Sequence, residues 1–428
     1  MDATVGRSRV AGTARAPASK SYTHRAILAG GFADRARVAE PLLSEDPRAT
    51  IRAVEAFGGA VEIGDGELAV EGFDGHPTAP DGPIDCANSG TTLRLATATA
   101  ALADGETELT GDASLRSRPQ GPLLAAIESL GGRAESHDRD GTAPLTVEGP
   151  IEGGRVSIPG DVSSQFVTAL LLAGAATPEG IQVALETELK SAPYVEVTRE
   201  VLDAFGVRTE VTPEGFAVDG GQAYRRVDEP YDVPGDFSSI GYLLAAGALA
   251  GEGAVRVEGA APSAQGDAAV IDHLRAMGAP VTWDREAGAV TVEPAPLDGV
   301  EISVEDTPDL LPTLAVLGAA ADGTTRLTDA EHVRYKETDR VAVMAAELAK
   351  LGASVEERPD ELLVHGGESE LIGASVDGHG DHRVVMSLAV AGLVASGETT
   401  IGGAEHAGVS FPEFFGVLEG LGAAVSLE

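Results

Sequence analysis

The chain has 428 residues, 68 acidic against 30 basic, a formal charge of −38 and a single cysteine, Cys86. That length allows two domains or more. The charge argues against nucleic acid as a partner, which needs a basic face, and one thiol excludes an intrachain disulfide and a multi-cysteine metal site.

The opening "MDATVGRSRV" has no apolar signal region, and no run of about 18 uninterrupted apolar residues follows, so a soluble cytoplasmic chain is expected. The acids are spread along the sequence, which reads as a solvated acidic surface and not as a disordered tail. Only four lysines occur, Lys20, Lys190, Lys336 and Lys350, and arginine supplies nearly all the positive charge. Such a composition fits a cytoplasm rich in salt, where screening suppresses surface repulsion. Where the surface avoids lysine, a retained lysine is either incidental or held by chemistry.

In chain order the sequence predicts six apolar helices with polar starts: "SKSYTHRAILAG" (19–30), "NSGTTLRLATA" (88–98), "DVSSQFVTALLLAGA" (161–175), "DFSSIGYLLAAGALA" (236–250), "DTPDLLPTLAVLGAA" (306–320) and "GDHRVVMSLAVAGLVA" (380–395). Each is apolar all round and should be buried. A second helix follows each, ending at a glycine before a strand-like start: Gly58, Gly131, Gly206, Gly278, Gly352 and Gly422, spaced 70 to 75 residues apart. Short runs such as "RVSIPG", "EISVED" and "AVTVEP" read as strands. Six units of one period indicate a repeat architecture, two groups of three. If the buried helices of a group run parallel, their N-termini converge and form an anion site.

Ordinary capping accounts for Asp236, Ser238 and Ser239. It does not account for Lys20, Arg25, Arg94 or Arg383, which are unsuited to the first turns of buried helices without a partner. In "HVRYKETDRVAVM" (332–344) the apolar spacing of Val341, Met344, Leu348 and Leu351 predicts a helix beginning here. Glu337 and Asp339 suit its positive end. Lys336 and Arg340, four apart on one face, do not, unless an anion lies beside them. The alternative is a solvent-facing start with Lys336–Asp339 and Glu337–Arg340 pairs.

The motifs "SKSYTHR", "NSGTTLR", "RSRP", "SSQF", "SAPY", "PD", "KETDR", "GDHR" and "SFPEFF" occur in order over essentially the whole chain. Together they resemble the 5-enolpyruvylshikimate-3-phosphate synthases. The resemblance implies a two-domain inverse α/β barrel of the enolpyruvyl transferase type, with three repeated strand/helix units per domain. One domain would comprise residues 1–17 plus 235–428, the other 18–234, with the active site in a cleft between them. It implies transfer of the enolpyruvyl group of phosphoenolpyruvate to the 5-hydroxyl of 3-phosphoshikimate with release of phosphate, by a monomer needing no cofactor or metal. The nine histidines show no zinc-type pair with a persuasive third ligand.

By motif matching, the resemblance places Lys20, Ser21, Arg25, Ser163, Ser164, Gln165, Ser191, Tyr194, Asp309 and Lys336 on 3-phosphoshikimate. It places Lys20, Asn88, Gly90, Arg118, Gln165, Arg340 and Arg383 on phosphoenolpyruvate. Asp309, Glu337 and Lys20 are the acid/base candidates: Asp309 for the 5-hydroxyl, Glu337 for C3, Lys20 for the leaving phosphate. Asp309 also reads as a cap after Pro308, and His382 as a structural or supporting residue. Arg94 joins the expected cationic lining.

Three positions depart from the family pattern: Val409 where a lysine often stands, His332 where an asparagine does, and Leu95 where a proline follows the arginine. The nearest rival is enolpyruvyl transfer to UDP-N-acetylglucosamine, whose enzymes carry a cysteine in the loop that here reads "GDASLRSRP". A non-catalytic anion-binding protein on the same fold is the other.

The charge makes a direct prediction. The Debye length shrinks from about 10 Å at 0.1 M salt to about 3 Å at 1 M. Thermal melts in potassium chloride should therefore show the melting temperature climbing with concentration, and the chain should unfold in dilute buffer. A melting temperature independent of salt would overturn the reading.

Overall fold

The computed structural model describes residues 1–137, 141–225 and 229–428. Among these residues the α-helices are α1 (Lys20–Phe32), α2 (Glu45–Ala56), α3 (Gly90–Ala100), α4 (Gly121–Ser129), α5 (Ser164–Gly174), α6 (Pro193–Ala204), α7 (Phe237–Ala250), α8 (Val270–Ala276), α9 (Leu311–Ala319), α10 (Arg340–Lys350), α11 (His382–Gly392) and α12 (Phe414–Gly420). The strands form six four-stranded sheets. No helix among the described residues is long and apolar enough to cross a membrane.

The odd-numbered helices are the apolar ones, and they are buried. Every residue of α9 and α11 is buried, and all of α7 but Leu249. In α1, α3 and α5 the residues that are not buried are Lys20, Ser21, Thr91, Arg94 and Gln165, all in the N-terminal turns. The sequence pattern thus becomes geometry: the sides of these helices pack, and only their starts emerge.

The even-numbered helices end alike. Gly58, Gly131, Gly206, Gly278, Gly352 and Gly422 all have φ between 78° and 110°. The N–H of the residue after each glycine donates to a carbonyl five residues back, as in Gly59 to Val54, Val207 to Leu202 and Ala423 to Leu418. This closes the orphan carbonyls of the helix and requires the left-handed conformation that glycine adopts without penalty.

Each repeat adds a sheet of one pattern. Gly154–Ile158 lies parallel to Ile181–Leu185, with α5 as the crossover. Gly215–Val218 then joins antiparallel, and Thr209–Thr212 closes the edge. The parallel pair demands a long connection, which the buried helix provides. "EISVED" and "AVTVEP" supply the strands Glu301–Ser303 and Ala289–Val292.

The chain divides into two compact units, Met1–Pro17 with Pro234–Glu428, and Ala18–Val233. In the first unit, Asp2–Gly6 sits between Glu398–Gly402 and Ala424–Leu427, and Val10–Arg15 runs parallel to Gly251–Glu258. The N-terminal segment therefore completes two of that unit's three sheets. In the second unit, Tyr231–Asp232 returns to pair parallel with Arg35–Ala39 and completes the sheet of the first repeat. Each unit closes its repeats through a strand far away in sequence.

Two glycines separate conformation from contact. A Cβ at Gly131 (φ 95°) would meet nothing within 4 Å, whereas one at Gly352 (φ 86°) would lie 2.4 Å from the Glu370 carbonyl oxygen. Gly131→Ala should cost about 1–2 kcal/mol, the left-handed penalty alone. Gly352→Ala should cost clearly more, about 3 kcal/mol or above. Denaturant unfolding of both variants checks this, and equal losses would remove the steric account.

Candidate active-site residues

In the first unit the candidate residues gather around Arg340, which is 1% exposed. The helix α10 starts at Arg340 and not at Lys336. Asp339 caps it, accepting from the Ala342 N–H at 3.0 Å. Lys336 and Glu337 lie in the turn that follows the 3-10 segment Glu331–Tyr335, so the expectation that Lys336 and Arg340 share one helix face is corrected. The apolar period marked the body of the helix, while the cap at Asp339 set its start.

The Arg340 Nη1 donates to Asp309 at 2.6 Å, its Nη2 to Glu337 at 2.5 Å and its Nε to Asp381 at 2.7 Å. Arg383, at the start of α11, donates to the other Asp309 oxygen at 2.7 Å, and its Nη1 approaches the buried Tyr242 hydroxyl at 3.5 Å. Asp309 lies in the 3-10 turn Pro308–Leu310 that leads into α9. The first turns of α9, α10 and α11 thus meet through one carboxylate.

The electrostatics follow from this packing. Burial pushes the Asp309 carboxyl up, but Arg383, Arg340 and Lys336 outweigh it and hold the group well below the usual carboxylate range. Burial pulls the Arg340 guanidinium down, and Asp381, Glu337 and Asp309 more than reverse it. Nearby Asp267 is pushed the other way: burial first, then Asp309 and Asp236, raise it well above an ordinary aspartate.

Asp381 is a residue that sequence reasoning missed in this role. It caps α11, accepting from the Arg383 N–H at 2.9 Å. The same carboxylate also binds Arg340, 41 residues away, a pairing with no sequence signal. Val409 lies half-buried at the end of the 3-10 segment Ala404–Val409, and His332 in Glu331–Tyr335.

In the second unit the candidates form two linked groups. Arg25 on α1 is fully buried. It donates to the Thr198 hydroxyl at 2.8 Å, the Ser21 carbonyl at 2.8 Å, the Tyr194 carbonyl at 3.1 Å, and the Gln165 side chain and Thr168 hydroxyl at 3.3 Å. One side chain therefore ties Ser21, Gln165 and Tyr194 together across α1, α5 and α6. Burial pulls its pKa down to about 10, partly opposed by Tyr194 and Tyr22. Ser163 caps α5, accepting from the Gln165 N–H at 3.3 Å, and Ser164 is buried behind it. Ser191 is held at φ 58°, a left-handed conformation costly for serine.

The other group surrounds the start of α3. Arg118 donates to the Asn88 side-chain oxygen Oδ1 at 2.7 Å and to the Ser114 hydroxyl at 3.2 Å, and the Asn88 side-chain amide donates in turn to Asp112 at 2.7 Å. Gly90 is the first residue of α3. A Cβ there would lie 3.1 Å from Arg118 Nη1 and 3.2 Å from Arg94 Nη1, so the missing side chain admits two guanidinium groups. The Arg94 guanidinium also lies 5.2 Å from the centre of the Phe166 ring, joining this group to the start of α5. Lys20 donates to Asp46 at 3.0 Å. These starts present N–H groups, positive dipole ends and cations, the chemistry that receives oxyanions. Among the described residues, no group of three His, Cys, Asp or Glu is placed to hold a metal ion.

The comparisons with known proteins agree on one family. Residues 5–418 match the family described as EPSP synthase (3-phosphoshikimate 1-carboxyvinyltransferase). A 3-phosphoshikimate 1-carboxyvinyltransferase of Halobacterium salinarum is 66% identical over 426 residues, covering 99% of both chains. One from Halorubrum lacusprofundi is 61% identical over 448 residues, covering 99% of this chain and 98% of the relative. The solved EPSP synthase of Acinetobacter baumannii superimposes with a TM-score of 0.84 at 29% identity, each chain fully covered.

The buried ion network yields its own prediction. Arg340→Met leaves Asp381 charged, buried and without its main partner, and should cost about 3–5 kcal/mol. Adding Asp381→Asn should recover much of that loss. A double-mutant cycle by denaturant unfolding measures the coupling, and strictly additive losses would show that the two do not depend on each other.

Proposed function

Because the chain belongs to the EPSP synthase family, we propose that it joins phosphoenolpyruvate to 3-phosphoshikimate, forming 5-enolpyruvylshikimate 3-phosphate and releasing phosphate. The oxygen of the 5-hydroxyl attacks C2 of phosphoenolpyruvate while C3 takes a proton. The resulting adduct loses phosphate from C2 and a proton from C3, which restores the double bond. The reaction needs one group to take the hydroxyl proton, one to give and later remove a proton at C3, and cations for two carboxylates and two phosphates.

The observation that carries this reading is the constellation of the half-buried Asp309 and Glu337 with the buried Arg340 and Arg383, in which two carboxylates share the cations that would hold an anionic substrate. In our reading Asp309 receives the hydroxyl proton and Glu337 serves C3, with Lys336 alongside. While Asp309 is bound by two arginines it is a weak base. Substrate anions that draw Arg340 and Arg383 away from Asp309 would raise its basicity at the moment of need. Asn88, Gly90, Arg118, Gln165 and Lys20 would complete the phosphoenolpyruvate contacts. Lys20 would also protonate the departing phosphate. Ser21, Arg25, Ser163, Ser164, Ser191 and Tyr194 would hold 3-phosphoshikimate, with Arg25 bracing several of them from behind. All of these residues are drawn from one chain, and our reading is of a monomer in the cytoplasm.

Transfer to UDP-N-acetylglucosamine is disfavoured by the loop "GDASLRSRP", which carries no cysteine. Cys86 lies elsewhere, buried, its thiol pushed up to about 12, and is unsuited to chemistry.

Phosphate release should be measured in concentrated potassium chloride, with phosphoenolpyruvate and either acceptor. Release with 3-phosphoshikimate alone is expected. Glu337→Gln and Asp309→Asn should each lower kcat by about 100- to 10,000-fold, as expected for loss of a general acid or base. Unchanged turnover in Glu337→Gln would remove its assignment, and release with the nucleotide sugar alone would overturn the substrate.

A further inference from the structure

The start of α3 is tied to α1 by a buried chain of side chains that the roles above do not use. His24 Nδ1 lies 2.6 Å from the Thr50 hydroxyl, which lies 2.7 Å from the Thr92 hydroxyl, which donates to the Ser89 hydroxyl at 2.8 Å. The four residues sit on α1, on α2, on α3 and at the α3 N-cap, and all are buried. Ser89 stands between Asn88 and Gly90, the residues that Arg118 and Arg94 approach.

The proton count gives the chain a direction. Each hydroxyl has one proton. The Thr92 hydroxyl proton has two acceptors within reach, the Ser89 hydroxyl at 2.8 Å and, more weakly, the Asp46 carbonyl at 3.4 Å; the shorter contact takes it, and with that proton spent Thr50 must donate to Thr92. Thr50 can then only accept from histidine, which requires the proton on Nδ1. The other ring nitrogen, Nε2, is buried with no hydrogen-bond partner, which fits a bare acceptor turned into the core. The ring is also kept neutral: burial, then the charges of Lys20 and Arg25, push its pKa well below that of an ordinary histidine. At the far end Ser89 accepts twice, from the hydroxyl and the N–H of Thr92. Its own proton is left over. Arg118, which binds the adjacent Asn88, has a buried Nε that has no hydrogen-bond partner either.

We propose that His24 is a positioning residue for an oxyanion at the start of α3: its Nδ1–H tautomer drives a one-way hydroxyl chain that ends at Ser89 and leaves the Ser89 proton to be donated to that anion. The anion would be the carboxylate or phosphate of phosphoenolpyruvate, so the ligand assignment rests on the function proposed above, while the tautomer does not. The chain also explains why a histidine is compatible with this buried turn. A side chain there must donate, stay uncharged beside two cations and reach a hydroxyl on another helix.

Two measurements test it. In protein labelled with 15N at histidine, the His24 signals are identified by their loss in His24→Asn. The expected result is a neutral ring protonated on Nδ1 and bare at Nε2; a proton on Nε2, or a charged ring, overturns the proposal. The second measurement uses Thr50→Val, which keeps the shape and removes the hydroxyl, and Thr50→Ser, which restores it. Thr50→Val should raise KM for phosphoenolpyruvate about tenfold, roughly the worth of one hydrogen bond to a charged group, with KM for 3-phosphoshikimate and kcat unchanged. Thr50→Ser should return it to the parent value. A structural role alone would move both KM values or neither, and either result counts against the proposal. If the parent protein shows no turnover, the functional reading fails, and calorimetric binding of inorganic phosphate to the same variants replaces KM. If Thr50→Val does not fold, the tautomer in the parent protein decides.

Discussion

Arg340 sets the terms for the first unit. A guanidinium removed from water costs several kcal/mol unless its charge and its donors are met. Asp309, Glu337 and Asp381 meet them. To do so, the chain must bring the starts of α9, α10 and α11 to one point. That requirement explains why Asp339 caps α10 immediately before the arginine and why Asp381 does two tasks at once. It also places a cation at a helix start, which the dipole disfavours, and the three carboxylates offset that cost.

The second unit solves the same problem with different chemistry. Arg25 is just as buried, but its acceptors are hydroxyls, backbone carbonyls and an amide. These satisfy its donors without cancelling its charge. The first unit therefore holds arginines already matched by acids, and the second a guanidinium whose positive charge remains available. Anions arriving at the second unit meet uncancelled charge; at the first they must compete with carboxylates. That competition would free Asp309 for proton transfer. A formal net charge of −38 does not prevent this, because Lys20, Arg25, Arg94, Arg340 and Arg383 stand in the first turns of helices, where local positive charge can oppose the global balance.

The sequence by itself determined the repeat. Glycines at a constant period mark helix ends that only glycine closes cheaply, and helices apolar on every side have nowhere to go but the interior. Both signals are local, because a cap or a helical face is made by residues a few positions apart. The polar starts were legible for the same reason: Lys20, Arg25, Arg94 and Arg383 stand out against apolar neighbours. What only the tertiary structure decided is partnership. Arg25 meets Thr198 across 173 residues, Arg383 meets Asp309 across 74, and Asp2–Gly6 joins a sheet whose other strands lie near the C-terminus. Local pattern carries no information about such distances. Lys336 was misplaced for the converse reason, since an apolar period tells where a helix packs and not where it starts. Which acid neutralises which arginine follows from where the helix starts meet in space, and burial then makes those pairings obligatory.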